Sequence, residues 1–119
     1  MILNLTQHLA TEDQVSAGVV EPRDKDAVKA IITFGELPTK AEVKAAAAAL
    51  ADVAKDHNAD TVLIGGAPWF MSSVEEAMTN AGIRAVYSFS RRECIETPGP
   101  NGTVERKMVF KHLAFADAF

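Results

Sequence analysis

The feature that most constrains this fold is a series of short apolar runs that stop abruptly at small or polar residues. The clearest runs are residues 1–5, 60–64 and 83–90. Each is long enough for a buried strand and too short for a helix. Segments with helix-start signals lie between them, and strands that alternate with helices are typical of a parallel sheet. The pattern therefore predicts an α/β fold with right-handed crossovers.

The intervals between the runs carry helical signals of different strength. Thr39 with Glu42 three residues later forms a capping-box sequence, and the alanine-rich stretch after it is a strong helix former. Four helices are predicted: a short one opening at Thr11, one over residues 24–34, the longest over residues 39–57, and one capped by Ser72 or Ser73 that ends before Gly82.

The C-terminal part predicts a β-hairpin. Residues 92–97 and 103–115 flank the sequence Pro-Gly-Pro-Asn-Gly at residues 98–102, which favours a chain reversal. The expected architecture is a Rossmann-like three-layer sandwich, with a mainly parallel sheet and a C-terminal antiparallel hairpin. A chain of 119 residues without an internal linker is expected to form a single domain over residues 1–119.

Charge and composition limit the partners. The net charge is −4, so duplex DNA and an anionic membrane, which demand a broad basic field, are not expected as main partners. No run of 18 apolar residues appears. The single cysteine, Cys94, has no internal partner for a disulfide, and a reducing cytoplasm is the expected location.

Residues with ligand-binding chemistry follow all three predicted strands. Because ligands of open α/β sheets bind beyond the carboxyl ends of the strands, these tips are expected to form one site for a small anionic ligand. The candidates are Thr6, Gln7 and His8 after the first strand, Gly65 and Gly66 after the second, and Ser88, Ser90, Arg91 and Arg92 at the third.

The Gly65-Gly66 turn lies between a strand and a helix, where small residues let backbone N–H groups approach an anion. It lacks both the lysine of a P-loop and the third glycine of a dinucleotide fingerprint. A plain tight turn is the alternative. Trp69 just after it either stacks on a base or anchors the core.

Adjacent residues on a strand face opposite sides, so only one of Arg91 and Arg92 is expected to face the crevice. The same holds for Lys111 and His112 on the returning strand, and surface ion pairing is the alternative for the arginines. Three histidines without ligand spacing make a metal site unexpected. No motif indicates a serine triad. The residues favour metal-free phosphoryl chemistry, in which a 2′-hydroxyl of the ligand attacks its own phosphate.

The two ends of the chain carry a resemblance to a known family. At the C-terminal end the similar motifs are residues 86–93 (Val-Tyr-Ser-Phe-Ser-Arg-Arg-Glu), then Glu96, Gly102 and Val104, and residues 109–115 (Val-Phe-Lys-His-Leu-Ala-Phe). At the start they are residues 3–8 and the Thr-Glu-Asp-Gln sequence that begins at Thr11. Together these motifs resemble small stand-alone CRISPR-associated CARF-type proteins. The middle of the chain matches only as a general α/β pattern.

The resemblance implies a cyclic oligoadenylate, or another small nucleotide, bound in the crevice of a homodimer. It further implies slow metal-independent ring cleavage that switches off a type III CRISPR response, without a cofactor. The implied catalytic residues are His8, Ser90 and Arg91. The implied ligand-binding residues are Thr6, Gln7, Gly65, Gly66, Trp69, Ser88, Arg92, Lys111 and His112.

Two alternatives remain at the level of sequence. The first is a non-catalytic nucleotide sensor or sponge of the same shape, because binding needs only the basic and small residues. The second is an interaction protein whose hairpin pairs with a partner strand, so that its basic residues are merely solvated.

Overall fold

The computed structural model describes residues 1–118, which form a mixed α/β fold around one five-stranded sheet of order β2-β1-β3-β4-β5. Strands β1 to β4 are parallel and β5 is antiparallel to β4. The α/β class, the mainly parallel sheet and the C-terminal hairpin are thus confirmed. The strands are β1 (Ile2–Asn4), β2 (Val19–Val20), β3 (Thr61–Leu63), β4 (Arg84–Pro98) and β5 (Val104–Asp117). The helices are α1 (Glu12–Ser16), α2 (Lys25–Ile32), α3 (Lys40–Asp56) and α4 (Pro68–Asn80).

The two faces of the sheet differ in how much apolar material covers them. Alternate strand residues, among them Leu3, Val62 and Ala85, pack into the main core with buried residues of α2, α3 and α4. Their neighbours Leu63 and Val86 point to the other face, where they form a small cluster with Val19, and Phe115 packs against that cluster. The period of two along the strands therefore determines which residues enter the main core.

Two local features differ from the sequence expectation. Strand β2 was not predicted, because two residues are too short to show a period, and it forms by pairing with β1. Helix α4 begins at Pro68 and not at Ser72 or Ser73. Proline favours the first helical position, since its missing N–H would have no partner there. The capping box of Thr39 and Glu42 and that of Thr11 and Gln14 are both present.

The β4–β5 hairpin extends well beyond the rest of the sheet. Strand β3 pairs with β4 only as far as Val86, whereas β5 pairs with β4 as far as Pro98. We call residues 89–113 the arm. It contributes to an elongated shape of 57 × 32 × 27 Å. None of the helices within residues 1–118 is long and apolar enough to cross a membrane.

Truncation of Met78 should destabilise the fold. Met78 is fully buried between α4 and the sheet. We expect Met78→Ala to lower the free energy of unfolding by about 2–5 kcal/mol through lost burial and a residual cavity. Leu37 is 96% exposed, so Leu37→Ala should change it by less than about 0.5 kcal/mol. Urea denaturation at constant m-value measures both, and equal effects would contradict the core assignment.

Candidate functional site

A cleft of about 680 Å³ lies beyond the carboxyl ends of β1 and β3 and beside the first half of β4. Its volume falls within the range of small-molecule binding sites. We call it the crevice. It brings together nine of the residues selected from the sequence: Thr6, Gln7, His8, Gly65, Gly66, Trp69, Ser88, Ser90 and His112.

The topology accounts for the position of the crevice. After β1 the chain forms β2 on one side of β1, and it later forms β3 on the other side of β1. The connections that follow β1 and β3 therefore diverge, which opens a gap between them at the end of the sheet. Residues 6–9 form one wall of this gap and residues 64–67 form another.

The wall after β1 is held by Asn4, a fully buried polar residue of the sheet that the sequence analysis did not select. Its Oδ1 accepts hydrogen bonds from the Thr6 N–H (3.0 Å) and the Thr6 hydroxyl (2.7 Å). Its Nδ2 donates to the His8 carbonyl at 2.8 Å and to the Glu21 carboxylate at 3.0 Å. Asn4 thus fixes the turn that carries Thr6, Gln7 and His8 into the crevice.

Glu21 connects this wall to α2. Its carboxylate accepts from the Ala10 N–H at 2.8 Å and lies 3.1 Å from the Lys25 ammonium. Partial burial opposes its charge, but the hydrogen bonds from Ala10, Asn4 and Lys25 together hold the pKa of Glu21 below its ordinary value. Glu21 is therefore a charged anchor for the crevice wall.

The second wall is the glycine turn between β3 and α4. Within residues 1–118, the backbone N–H groups of Gly66 and Ala67 donate to no protein acceptor. Gly66 has φ +157°, and a Cβ there would lie 3.4 Å from Met71 Cε. A Cβ on Gly65 would instead meet Thr6 Cγ2 at an ordinary 3.6 Å. Unpaired N–H groups beside the N-terminus of a 13-residue helix form a suitable environment for an anion.

Trp69 lies at the rim of this wall. Its ring centroid is 5.4 Å from that of Phe34 and 6.2 Å from that of Phe70. Phe70 is buried, whereas Trp69 remains 52% exposed and lines the crevice. Trp69 therefore packs on the core and leaves ring surface exposed in the crevice, and its stacking on a base stays a prediction.

The third wall carries a Ser–His pair. Ser88 Oγ lies 2.6 Å from His112 Nδ1 and 3.0 Å from Ser90 Oγ. The His112 ring also packs on Phe115, with 4.5 Å between ring centroids. A hydroxyl at this distance fixes the orientation of the imidazole, while Nε2 remains available to exchange a proton with a ligand. The sequence analysis found no partner for the serines.

A β-bulge brings this pair together. Phe89 pairs with Ala114, but Ser90 pairs with His112, so Leu113 is the extra residue. A regular ladder would place Lys111 on the crevice face and His112 on the opposite face. The bulge reverses this, because strand side chains alternate with a period of two. His112 is thereby the member of the Lys111–His112 pair that lines the crevice.

The arginines are divided by the same alternation. Arg91 pairs with Lys111 on the face of the arm that points away from the crevice, which we call the outer face. Arg92 lies on the same face as Ser90, which we call the crevice face, with its guanidinium 5.7 Å from the Phe110 ring centroid. Phe110 lines the crevice, whereas Arg91, Arg92 and Lys111 are not among its lining residues.

The remaining titratable groups limit the chemistry. The Tyr87 hydroxyl donates to Glu75 Oε1 at 2.8 Å, and burial together with this carboxylate raises the pKa of Tyr87 well above its ordinary value. Tyr87 therefore stays protonated near neutral pH. Within residues 1–118 no group of three His, Cys, Asp or Glu side chains could hold a metal ion. His8, His112 and the serines are the candidates for proton transfer.

The anchor formed by Glu21 should appear in the pH dependence of stability. Because folding lowers the pKa of Glu21 below 4.5, its contribution is present above pH 4.5 and is lost as the pH falls through the folded-state value. We expect Glu21→Gln to be less stable than the parent at pH 7, with the difference narrowing on acidification. Urea midpoints from pH 7 to pH 3 measure this. A difference that is constant or widens would contradict the anchor.

Comparison with known proteins places the chain in a family. No curated protein and no solved structure matches it. Residues 1–116 match the family described as the Uncharacterized protein MJ1673 family, over the sheet, the crevice and the arm. The chain therefore belongs to the MJ1673 family.

Proposed function

We propose that this protein binds a cyclic oligoadenylate in the crevice and cleaves it without a metal ion. The observation that carries the proposal is the hydrogen bond between Ser88 and His112 in the same cleft as the Gly65-Gly66 turn. One wall supplies unpaired amides suited to a phosphate, and the facing wall supplies an oriented imidazole. Phosphodiester cleavage needs both groups near one phosphorus atom.

The proposed reaction uses the ligand's own 2′-hydroxyl. Its oxygen attacks the adjacent phosphorus, a P–O bond forms, and the bond from phosphorus to the 5′-oxygen breaks. The 2′-hydroxyl gives up its proton to a base and the leaving 5′-oxygen takes up a proton from an acid, so the products are a 2′,3′-cyclic phosphate and a free 5′-hydroxyl. His112 Nε2 serves one of these transfers, and His8 on the facing wall is the candidate for the other.

Backbone amides and a tryptophan provide the rest of the site. The amides of Gly66 and Ala67 would stabilise negative charge on the phosphate oxygens as it develops. Trp69 would stack on an adenine, while Thr6 and Gln7 would contact the sugar or base. The guanidinium of Arg92 lies beside Phe110, which lines the crevice, and from there it would attract the anionic ligand.

The size of the crevice favours a shared ligand. A cleft of about 680 Å³ suits one drug-sized molecule, whereas a ring of several nucleotides is larger. Two crevices related by a twofold axis would hold opposite parts of one symmetric ring, which is the proposed homodimer. The three-layer Rossmann-like arrangement, a location in the cytoplasm and a role in ending a type III CRISPR response belong to the same proposal. Arg91 and Lys111 lie on the outer face, and the catalytic role expected of Arg91 and the ligand-binding role expected of Lys111 stay predictions.

A serine nucleophile is the second candidate, because a Ser–His pair at 2.6 Å is also the core of an acyl- or phosphoryl-transfer site. In this mechanism Ser88 Oγ would attack and His112 would take its proton. No carboxylate hydrogen bonds to His112 within residues 1–118. Ser88 therefore fits better as the group that orients the imidazole.

The test is incubation of the protein with labelled cyclic tri-, tetra- and hexa-adenylate in EDTA, with binding and products followed separately. We expect linear products, and a loss of about 10²-fold or more in rate for His112→Ala. Ser88→Ala should reduce the rate less, because it only releases the imidazole. Binding without products would make the protein a sensor or sponge. Absence of binding to all three rings would overturn the proposal.

Trp69 provides a test of how the base is held. Loss of the indole should weaken ring binding by about 1–3 kcal/mol, the usual contribution of one base–aromatic stack. Trp69→Phe keeps an aromatic face and should retain most of the affinity, whereas Trp69→Ala should not. Fluorescence polarisation with a labelled ring measures both. Equal affinity of Trp69→Ala and the parent would remove Trp69 from the site.

A further inference from the structure

The arm exposes more apolar surface than an isolated chain would be expected to tolerate. Six large apolar side chains on it are at least 40% exposed: Phe89, Ile95, Val104, Met108, Phe110 and Leu113. A two-stranded ribbon alone is only marginally stable in water. Exposed apolar patches of this kind mark interaction surfaces. Val104, Met108 and Phe110 share the crevice face of the arm, which is therefore a candidate interaction surface.

The crevice face of the arm has an ordered chemical pattern. From base to tip, its cross-strand pairs are Arg92–Phe110, Cys94–Met108 and Glu96–Arg106. Arg106 Nε lies 3.2 Å from Glu96 Oε1 within the same arm. The uncharged Cys94–Met108 pair thus lies between two charged pairs. Arg92 and Phe110, a cation and an aromatic ring, lie toward the base, and the Glu96–Arg106 ion pair lies toward the tip.

We propose that two copies of the chain stack the crevice faces of their arms antiparallel, about a twofold axis through the Cys94–Met108 pair. This reversal places Arg92 opposite the partner's Glu96, and Phe110 opposite the partner's Arg106. Opposite charges then meet twice, and a guanidinium faces an aromatic ring twice. Met108 meets the partner's Met108 at the centre, where an apolar contact is favoured.

The outer face is less suitable for such stacking. Its pairs Arg91–Lys111, Glu93–Val109 and Ile95–Lys107 carry a charge at every level. A stacked interface would desolvate these charges at its centre, whereas interface centres are normally depleted of charged residues. On this outer face a twofold axis parallel to the strands is also unfavourable, because it would place Arg91 over the partner's Lys111.

The stacking also completes the site. Cys94 lies four residues from both Ser90 and Pro98, about 13 Å in each direction. The partner's Pro98 and the partner's Val104 would therefore lie over Ser90 and His112, so that the partner's tip covers the mouth of the crevice. Leu9 lines the crevice and is 70% exposed, so a tip that covers the mouth would contact it. This contact would bury surface in addition to that of the two arms. A stable interface buries roughly 800 Å² per partner.

The test compares two matched lysine substitutions by sedimentation equilibrium over a range of concentrations. Met108 and Ile95 are 53% and 44% exposed and lie on opposite faces of the arm. The parent and Ile95→Lys should be dimers. Met108→Lys places two ammonium groups against each other. It should stay monomeric up to a concentration at least tenfold above the one at which the parent dimerises. Circular dichroism confirms that each variant is folded. A monomeric parent, or dissociation by Ile95→Lys instead, would overturn the proposal.

Cys94 gives a second, positional readout, because it is the only cysteine of the chain. Stacked sheets lie about 10 Å apart, so a short bis-maleimide should join two parent chains through Cys94 and should not join Met108→Lys chains. A parent dimer that is not cross-linked would overturn the position of the axis. This dimer differs from one in which two crevices share a ring, because it places Ser90 and the partner's Ser90 about 26 Å apart along the arms. Its test is separate from that of ring cleavage. A cross-linked dimer that binds no ring would support the arm interface and would overturn the proposed nucleotide function.

Discussion

The structure of the site depends on the pairing register of β4 with β5. One extra residue at Leu113 shifts the parity of β5, and every β5 side chain from His112 to the tip changes face with it. His112 and Phe110 are thereby directed to the crevice, and Lys111 is directed away from it. Without this bulge Leu113 would stand opposite Ser90 in place of His112, Lys111 would replace Phe110 opposite Arg92, and Ser88 would lose its partner. Register thus determines both the chemistry of the crevice and the composition of the arm.

Asn4 has a comparable role on the other side of the crevice. A buried amide inside a strand is costly unless its polar atoms are all hydrogen bonded, and those of Asn4 are bonded to the turn residues Thr6 and His8 and to Glu21. The cost of burying Asn4 is therefore offset only while this turn keeps its shape. A rigid wall on β1 and a rigid pair on β4 and β5 together give a preorganised cleft, which is what differential stabilisation of a transition state requires.

The sequence predicted the features that depend on local chemistry. Capping boxes, apolar runs and the glycines after β3 identified the helices, the inner strands and the turn that follows β3. It did not predict features that depend on tertiary pairing. The two residues of β2 form a strand only beside β1, and the Ser88–His112 hydrogen bond joins residues 24 apart through a bulge. Asn4 resembled an ordinary residue at a strand end, because its role appears only when Glu21 folds back to it. Which arginine shares a face with Ser90 was likewise undetermined until the orientation of β4 against the core was known, and neither arginine lines the crevice.

In the proposed reaction the bound ring is cut by its own 2′-hydroxyl, and the protein supplies only positioning and proton transfer. A ring that carries 2′-deoxyribose tests this claim directly. The parent protein in EDTA should bind the deoxy ring with an affinity close to that of the ribose ring, convert the ribose ring to a product ending in a 2′,3′-cyclic phosphate, and leave the deoxy ring intact. Cleavage of the deoxy ring would contradict the account, because the nucleophile would then be Ser88 or water.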